Sequence, residues 1–159
     1  MTLKRRPGFT LTEMLVTAAI LGILAGAAIP LAKIAVKRER EIELHRDLRM
    51  IREAIDAYKK LADEKKIEVD SDSDGYPPDL ETLVNGVKLK ADEKSKSSEA
   101  RLVKFLRRIP RDPMTNSGEW GLLSSQDEPD AQSWGEENVY DVYTRSRAKA
   151  IDGTPYRDW

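Results

Sequence analysis

The densest chemistry in this chain is a run of carboxylates, Asp70, Asp72, Asp74 and Glu81. They stand in Asp70-Ser71-Asp72-Ser73-Asp74-Gly75, followed by Tyr76-Pro77-Pro78-Asp79-Leu80-Glu81. Every constrained position of the calcium-loop pattern D-x-[DN]-x-[DN]-G-x5-E is satisfied. Alternating carboxylates around a Gly turn can wrap a hard cation, with Glu81 closing the shell through both oxygens. Calcium is therefore the one cofactor the residues suggest. A solvated acidic turn is the competing reading, because Pro77 lacks the backbone donor that paired calcium loops use.

Little else is grouped for chemistry. His45 is the only histidine, sits among charged residues, and reads as surface. Cysteine is absent, which excludes a disulfide framework, thiolate metal sites and a cysteine nucleophile. No nucleophile-and-base pair, phosphate loop or ligand cluster with catalytic spacing is present, so the expectation is not an enzyme. The net charge of −1 gives no electrostatic case for nucleic acid. The remaining candidate is Glu13, an acid at the edge of an apolar run.

That run defines the first element. Between Glu13 and Lys33 lie nineteen residues without charge, positions 14–32. At about 1.5 Å per residue they match a hydrocarbon core of roughly 30 Å, as one transmembrane helix. Lys4, Arg5 and Arg6 precede the span, while Lys33, Lys37, Arg38 and Arg40 follow it, so charge alone leaves the orientation undecided. Inside hydrocarbon Glu13 would cost on the order of 2–3 kcal/mol unless paired or interfacial. Pro30 removes a helix hydrogen bond and is expected to kink or open the helix locally. Gly22 and Gly26 would let another helix come close.

Gly8-Phe9-Thr10-Leu11-Thr12-Glu13-Met14-Leu15-Val16, continued by Leu21-Gly22-Ile23-Leu24-Ala25 and Ile29-Pro30, resembles the prepilin cleavage and methylation motif. The chain is thus similar to type IV pilins and to the major pseudopilins of type II secretion systems. The resemblance implies a leader at 1–8, cut between Gly8 and Phe9 by a membrane aspartyl peptidase that also N-methylates Phe9. It implies a transmembrane and polymerisation half at 9–34 and a periplasmic domain at 35–159. Removing Lys4, Arg5 and Arg6 would take the net charge from −1 to −4, before the new amine is counted. In this family the acid at Glu13 meets the N-terminal amine of a neighbouring subunit, and Pro30 belongs to the same assembly segment. Two charges that are each costly in lipid become tolerable when paired. The implied partners are further copies of the chain, minor pseudopilins, the inner-membrane assembly platform and the prepilin peptidase. The implied location is the inner membrane, in a single pass, and then a filament. A surface pilus for motility, adhesion or DNA uptake is the alternative function. A single-span anchored binding module that never polymerises is a third.

Beyond the membrane, positions 35–64 lack Pro and Gly and favour helix. Leu44, Leu48, Ile51, Ile55, Tyr58 and Ala62 repeat at alternating spacings of four and three, one face of an amphipathic helix. Counted from Phe9 the whole helix would run about 84 Å. The expected class is α+β, a long helix packed on a small domain with short helices and a C-terminal antiparallel sheet. Positions 80–86 read as a short helix, 88–98 as a polar charged connection, and 101–106 as a further turn or two of helix. Strands are expected near 119–124 and 138–144, with Val139, Asp141 and Tyr143 on one face and Tyr140 and Val142 on the other. Trp134, in the acidic stretch 126–137, is expected to fold back onto the sheet. Gly75-Tyr76-Pro77, Pro110-Arg111-Asp112-Pro113-Met114-Thr115-Asn116 and the ending at Trp159 also resemble major pseudopilins. The calcium loop that the family often carries near its C-terminus does not transfer cleanly. Arg145, Arg147 and Lys149 stand there, and Asp152 is its one obvious acid.

Overall fold

A computed structural model describes residues 8–90, 101–128, 131 and 133–159. The chain forms two compact units, Met1–Glu39 and Arg40–Trp159. Helix α1, Leu11–Asp63, contributes to both and continues unbroken through Pro30. In the first unit the apolar side chains are exposed, Leu21 by 65%, Ile23 by 74% and Ile29 by 63%. By length and composition this is a helix able to cross a membrane, and none of its apolar window is buried.

In the second unit the periodic stripe of α1 does what its spacing predicts. Leu44, Leu48, Ile51, Ile55, Tyr58 and Ala62 are all buried, joined by Ala54. Each fully buried Leu or Ile contributes roughly 1.5–3 kcal/mol relative to exposure. Against the stripe pack Ile67, Leu80, Leu83, Leu106, Trp120, Val139, Val142, Ala150 and Tyr156.

A 3-10 turn, Ser71–Ser73, leads to helix α2, Leu80–Asn85. The Asp79 carboxylate caps α2 by accepting from the Thr82 backbone N–H at 2.7 Å. Gly86 ends it at φ +85, where a Cβ would also lie 2.5 Å from the Val103 carbonyl oxygen. That crowding comes from strands β1, Val87–Lys88, and β2, Leu102–Val103, which pair antiparallel. The helix expected at 101–106 is therefore not formed. Pairing with β1 takes up Leu102 and Val103, and the N–H groups of Phe105 and Leu106 both donate to the Leu83 carbonyl. Most of the polar connection expected at 88–98 lies outside the described residues.

Strands β3, Gly121–Leu123, and β4, Asp141–Tyr143, form the C-terminal antiparallel pair, with Leu122 opposite Val142. Both are shorter than expected, and the facial assignment around Val139 changes. Val139 and Val142 are both buried while Tyr140 is 51% exposed, because regular alternation begins only at Asp141. Before it, the Val139 N–H donates to the Pro77 carbonyl and the Tyr140 N–H to that of Leu123. Trp134 is half-buried against the core, and its Nε1 donates to the Asn138 carbonyl at 2.8 Å.

Candidate processing and assembly site

The first helical turn is closed by a reciprocal cap. The Glu13 N–H donates to Thr10 Oγ1 at 3.2 Å, and the Thr10 N–H reaches the Glu13 carboxylate over a longer 3.5 Å. This is a capping box, a hydroxyl at the N-cap and a carboxylate three residues on. It satisfies two amide donors that a helix start leaves without partners. Glu13 also lies in the first turn, where the helix dipole favours an anion. The Thr17 hydroxyl bonds the carbonyls of Glu13 and Met14, so the polar groups of the opening turns satisfy one another. The capping pair was open to detection in Thr10-Leu11-Thr12-Glu13, though its resemblance to a processing motif draws attention first.

Gly8 is exposed with no heavy atom within 4 Å of where a Cβ would stand, and Phe9 is 75% exposed. The Gly8-Phe9 bond thus lies just before the helix starts, outside regular secondary structure. Gly22 and Gly26 likewise have open space above their Cα atoms. Pro30 sits within the helix, in the exposed apolar stretch.

The four carboxylates expected around calcium are not brought together. Among the described residues no group of three or more His, Asp or Glu side chains is placed to hold a metal ion. The Asp74 backbone is left-handed, at φ 51, and its carboxylate accepts from the Ser125 hydroxyl at 2.8 Å. Ser73, buried, donates through its hydroxyl to the Asp70 carbonyl. Asp72 and Glu81 are exposed. Near the chain's last residues, Asp152 accepts from the N–H and hydroxyl of Thr154, which holds its carboxyl below the usual range.

The strongest polar constellation is one that spacing alone did not reveal. Arg52, on α1, donates to both oxygens of Asp141 at 2.6 and 3.2 Å, and also to the carbonyls of Val142 and Trp159. One guanidinium fork therefore ties helix, strand and tail. Glu41 accepts from the Tyr156 hydroxyl at 2.8 Å and the Ile151 N–H at 2.9 Å. Burial, then the hydrogen bond to Glu41, pushes the Tyr156 phenol up to about 12. His45 stays at the surface, but its ring stacks on Trp159 at 4.0 Å, and Trp159 meets Tyr156 edge-on.

A second constellation centres on Asp112, which is fully buried. Its carboxylate accepts from the Met114 N–H, the Thr115 hydroxyl and the buried Thr144 hydroxyl. It pins the turn after Pro110 to the end of β4. None of these groups is arranged as a nucleophile with a base. Arg52 and Asp141 neutralise each other, and the acceptors of Asp112 hold loop structure.

Residues 3–29 match the family model for the prokaryotic N-terminal methylation motif, the signature of type IV pilins and pseudopilins. Proteins built on that motif are structural subunits. No curated protein and no solved structure matches the chain.

Proposed function

We propose that this chain is the precursor of a membrane-anchored filament subunit, and specifically a major pseudopilin of a type II secretion system. The observation that carries the reading is the junction of the methylation motif at 3–29 with a helical stretch whose apolar side chains are exposed. An apolar helix with no internal cover needs lipid, other copies of itself, or each in turn. The prepilin peptidase cuts between Gly8 and Phe9 and methylates the new amine of Phe9. The leader stays on the cytoplasmic side, and residues 35–159 lie in the periplasm.

Glu13 then has two successive roles. Before assembly it caps its own helix through Thr10, and in the filament it pairs with the Phe9 amine of a neighbour. The exchange replaces a weak local contact by a charge pair shielded from water. The small cysteine-free domain favours the secretion pseudopilus over a surface pilus.

Mass spectrometry of the chain from cells with an active prepilin peptidase tests the first step. The expected product begins at N-methylated Phe9. Recovery of only the intact Met1 terminus would refute the reading. Secretion assays in a strain lacking the chain separate the two machines: loss of exported protein supports the pseudopilus, and loss of surface fibres alone supports the pilus.

A further inference from the structure

We propose that the face of α1 formed by Ile42, Arg46, Arg49 and Met50 receives the acidic segment 68–74 of a second copy of this chain, in a head-to-tail contact. The proposal rests on the filament reading and identifies where the folded units, rather than the apolar helix, recognise one another.

Positions 42, 46, 49 and 50 follow helical spacing; Ile42, Arg46 and Arg49 are exposed away from the buried stripe, and Met50 at their edge is half-buried against the core. Ile42 is 64% exposed, a large apolar side chain on a helix whose other face is fully packed. Arg46 and Arg49 are exposed, and neither makes a hydrogen bond or ion pair among the described residues. His45 and Glu53 border the same shallow groove. Stacking on Trp159 holds the His45 ring in place, so this edge is firm. The surface is therefore Ile42 with the edge of Met50, flanked by the guanidinium groups of Arg46 and Arg49.

Its complement stands elsewhere on the same unit. Segment 68–74, Glu68-Val69-Asp70-Ser71-Asp72-Ser73-Asp74, carries four carboxylates and no cation. Val69, between two acids, is 38% exposed and supplies the apolar counterpart. In the stretch 126–137, Asp127 and Glu137 bond donors within their own loop; in 68–74, Asp74 is taken by Ser125, so Glu68 and Asp70 are the carboxylates that meet the guanidinium groups. A molecule cannot satisfy both patches itself. Segment 68–74 folds back beside Tyr58 and Ala62, on the buried face of α1 and about 12–18 Å along the helix from Met50. Two unlike patches at different places on one body form a heterologous contact, which closes into rings or continues as a helix. Exposed charge pairs add little affinity singly but set register and reject wrong partners.

Cysteine is absent from the chain, so the introduced thiols are the only ones through which two copies can be joined. The full chain carrying both Arg49→Cys and Val69→Cys is oxidised in the membranes of cells in which the wild type assembles. The expected result is a ladder of crosslinked multimers, roughly tenfold more abundant than with either substitution alone. Arg46→Glu with Arg49→Glu should lower assembly by a similar factor, and adding Glu68→Arg with Asp70→Arg should restore most of it. That restoration excludes misfolding as the cause of the loss. Normal assembly of Arg46→Glu/Arg49→Glu without a ladder would overturn this contact and leave the filament reading standing. Crosslinking by Arg49→Cys alone would replace it with a symmetric pairing. No ladder, together with loss of binding to phosphatidylglycerol vesicles by Arg46→Glu/Arg49→Glu, would assign the face to lipid. If the wild type itself never assembles, both readings fall.

Discussion

Two stretches of the same helix have opposite relations to the rest of the chain. In the unit Met1–Glu39 the apolar side chains of α1 are exposed along its length, whereas in Arg40–Trp159 its apolar stripe is covered almost completely. The first stretch is apolar nearly all round, so no face is singled out for an internal partner. The second is apolar on one face only, and that face specifies a core. The chain covers the second stretch and leaves the first uncovered. The same substitution should therefore have different consequences in the two.

The largest contrast is expected for truncations. Leu48→Ala or Ile51→Ala should destabilise the second unit by about 2–5 kcal/mol through lost burial and a residual cavity. Ile23→Ala should leave its thermal unfolding unchanged and act only on insertion or assembly. Circular dichroism melts of the full chain in detergent compare them, and equal losses would erase the distinction. Asp112→Ala follows, with an expected cost of roughly 2–4 kcal/mol, since the Thr144 hydroxyl and Met114 N–H lose their acceptor in a buried site. A loss under about 0.5 kcal/mol would show that water replaces the carboxylate.

Glu13→Ala sharpens the comparison from the other side. It removes half of the capping box, about 0.5–1 kcal/mol of local helix stability, with no change in the melt of the second unit. Filament yield should nonetheless fall sharply. Normal yield from the variant alone would dismiss the inter-subunit charge pair.

Tyr156 gives a pH signature. Its phenol ordinarily ionises near 10 and is pushed up to about 12 in the fold. The native state then holds a proton that the unfolded state releases between those values. Its stabilisation is complete below pH 10 and is lost as pH rises toward 12. Tyr156→Phe should flatten that alkaline decline while costing about 1–2 kcal/mol at neutral pH from the bond to Glu41. An alkaline decline of unchanged steepness in Tyr156→Phe would assign it to other groups.

The smallest effect is expected at Asp47. Burial, then repulsion from Glu43, raises its carboxyl above the usual range. A raised acid stabilises below its ordinary value and loses that stabilisation as pH rises through the folded value. Asp47→Asn should therefore raise the melting temperature slightly at neutral pH, by roughly 1–3 °C, and have no effect in strong acid. A lower melting temperature at neutral pH would mean that the ionised carboxylate has a stabilising partner.

What could be read from the chain beforehand divides along the range of the interactions involved. The stripe from Leu44 to Ala62 was legible because its period is local, and Gly8 through Glu13 because the motif is contiguous. The short helix expected at 80–86 forms as Leu80–Asn85, and the structure shows its cap at Asp79 and its end at Gly86. Leu102-Val103 was misread as helical, since only the distant pairing with Val87 and Lys88 makes it a strand. The roles of Arg52, Glu41 and Asp112 were hidden for the same reason: each has partners far away in sequence. Conversely, the spacing of Asp70, Asp72, Asp74 and Glu81 fitted a cation loop, yet the backbone around Asp74 directs one of them to Ser125.

The bonds from Arg52 and Glu41 to residues 141–159 span 89 to 115 positions. During translation, those partners emerge roughly a hundred residues after the helix they hold. At about 5–20 residues per second this is a delay of roughly 5–20 s. Throughout that interval the face bearing Leu44 and Leu48 is synthesised but uncovered. These long-range bonds make completion of the domain wait for residues 141–159, after the apolar segment at 14–32 has already had time to enter a bilayer. Insertion can thus precede folding without a dedicated delay, because the partners of Glu41 and Arg52 are made about a hundred residues after them.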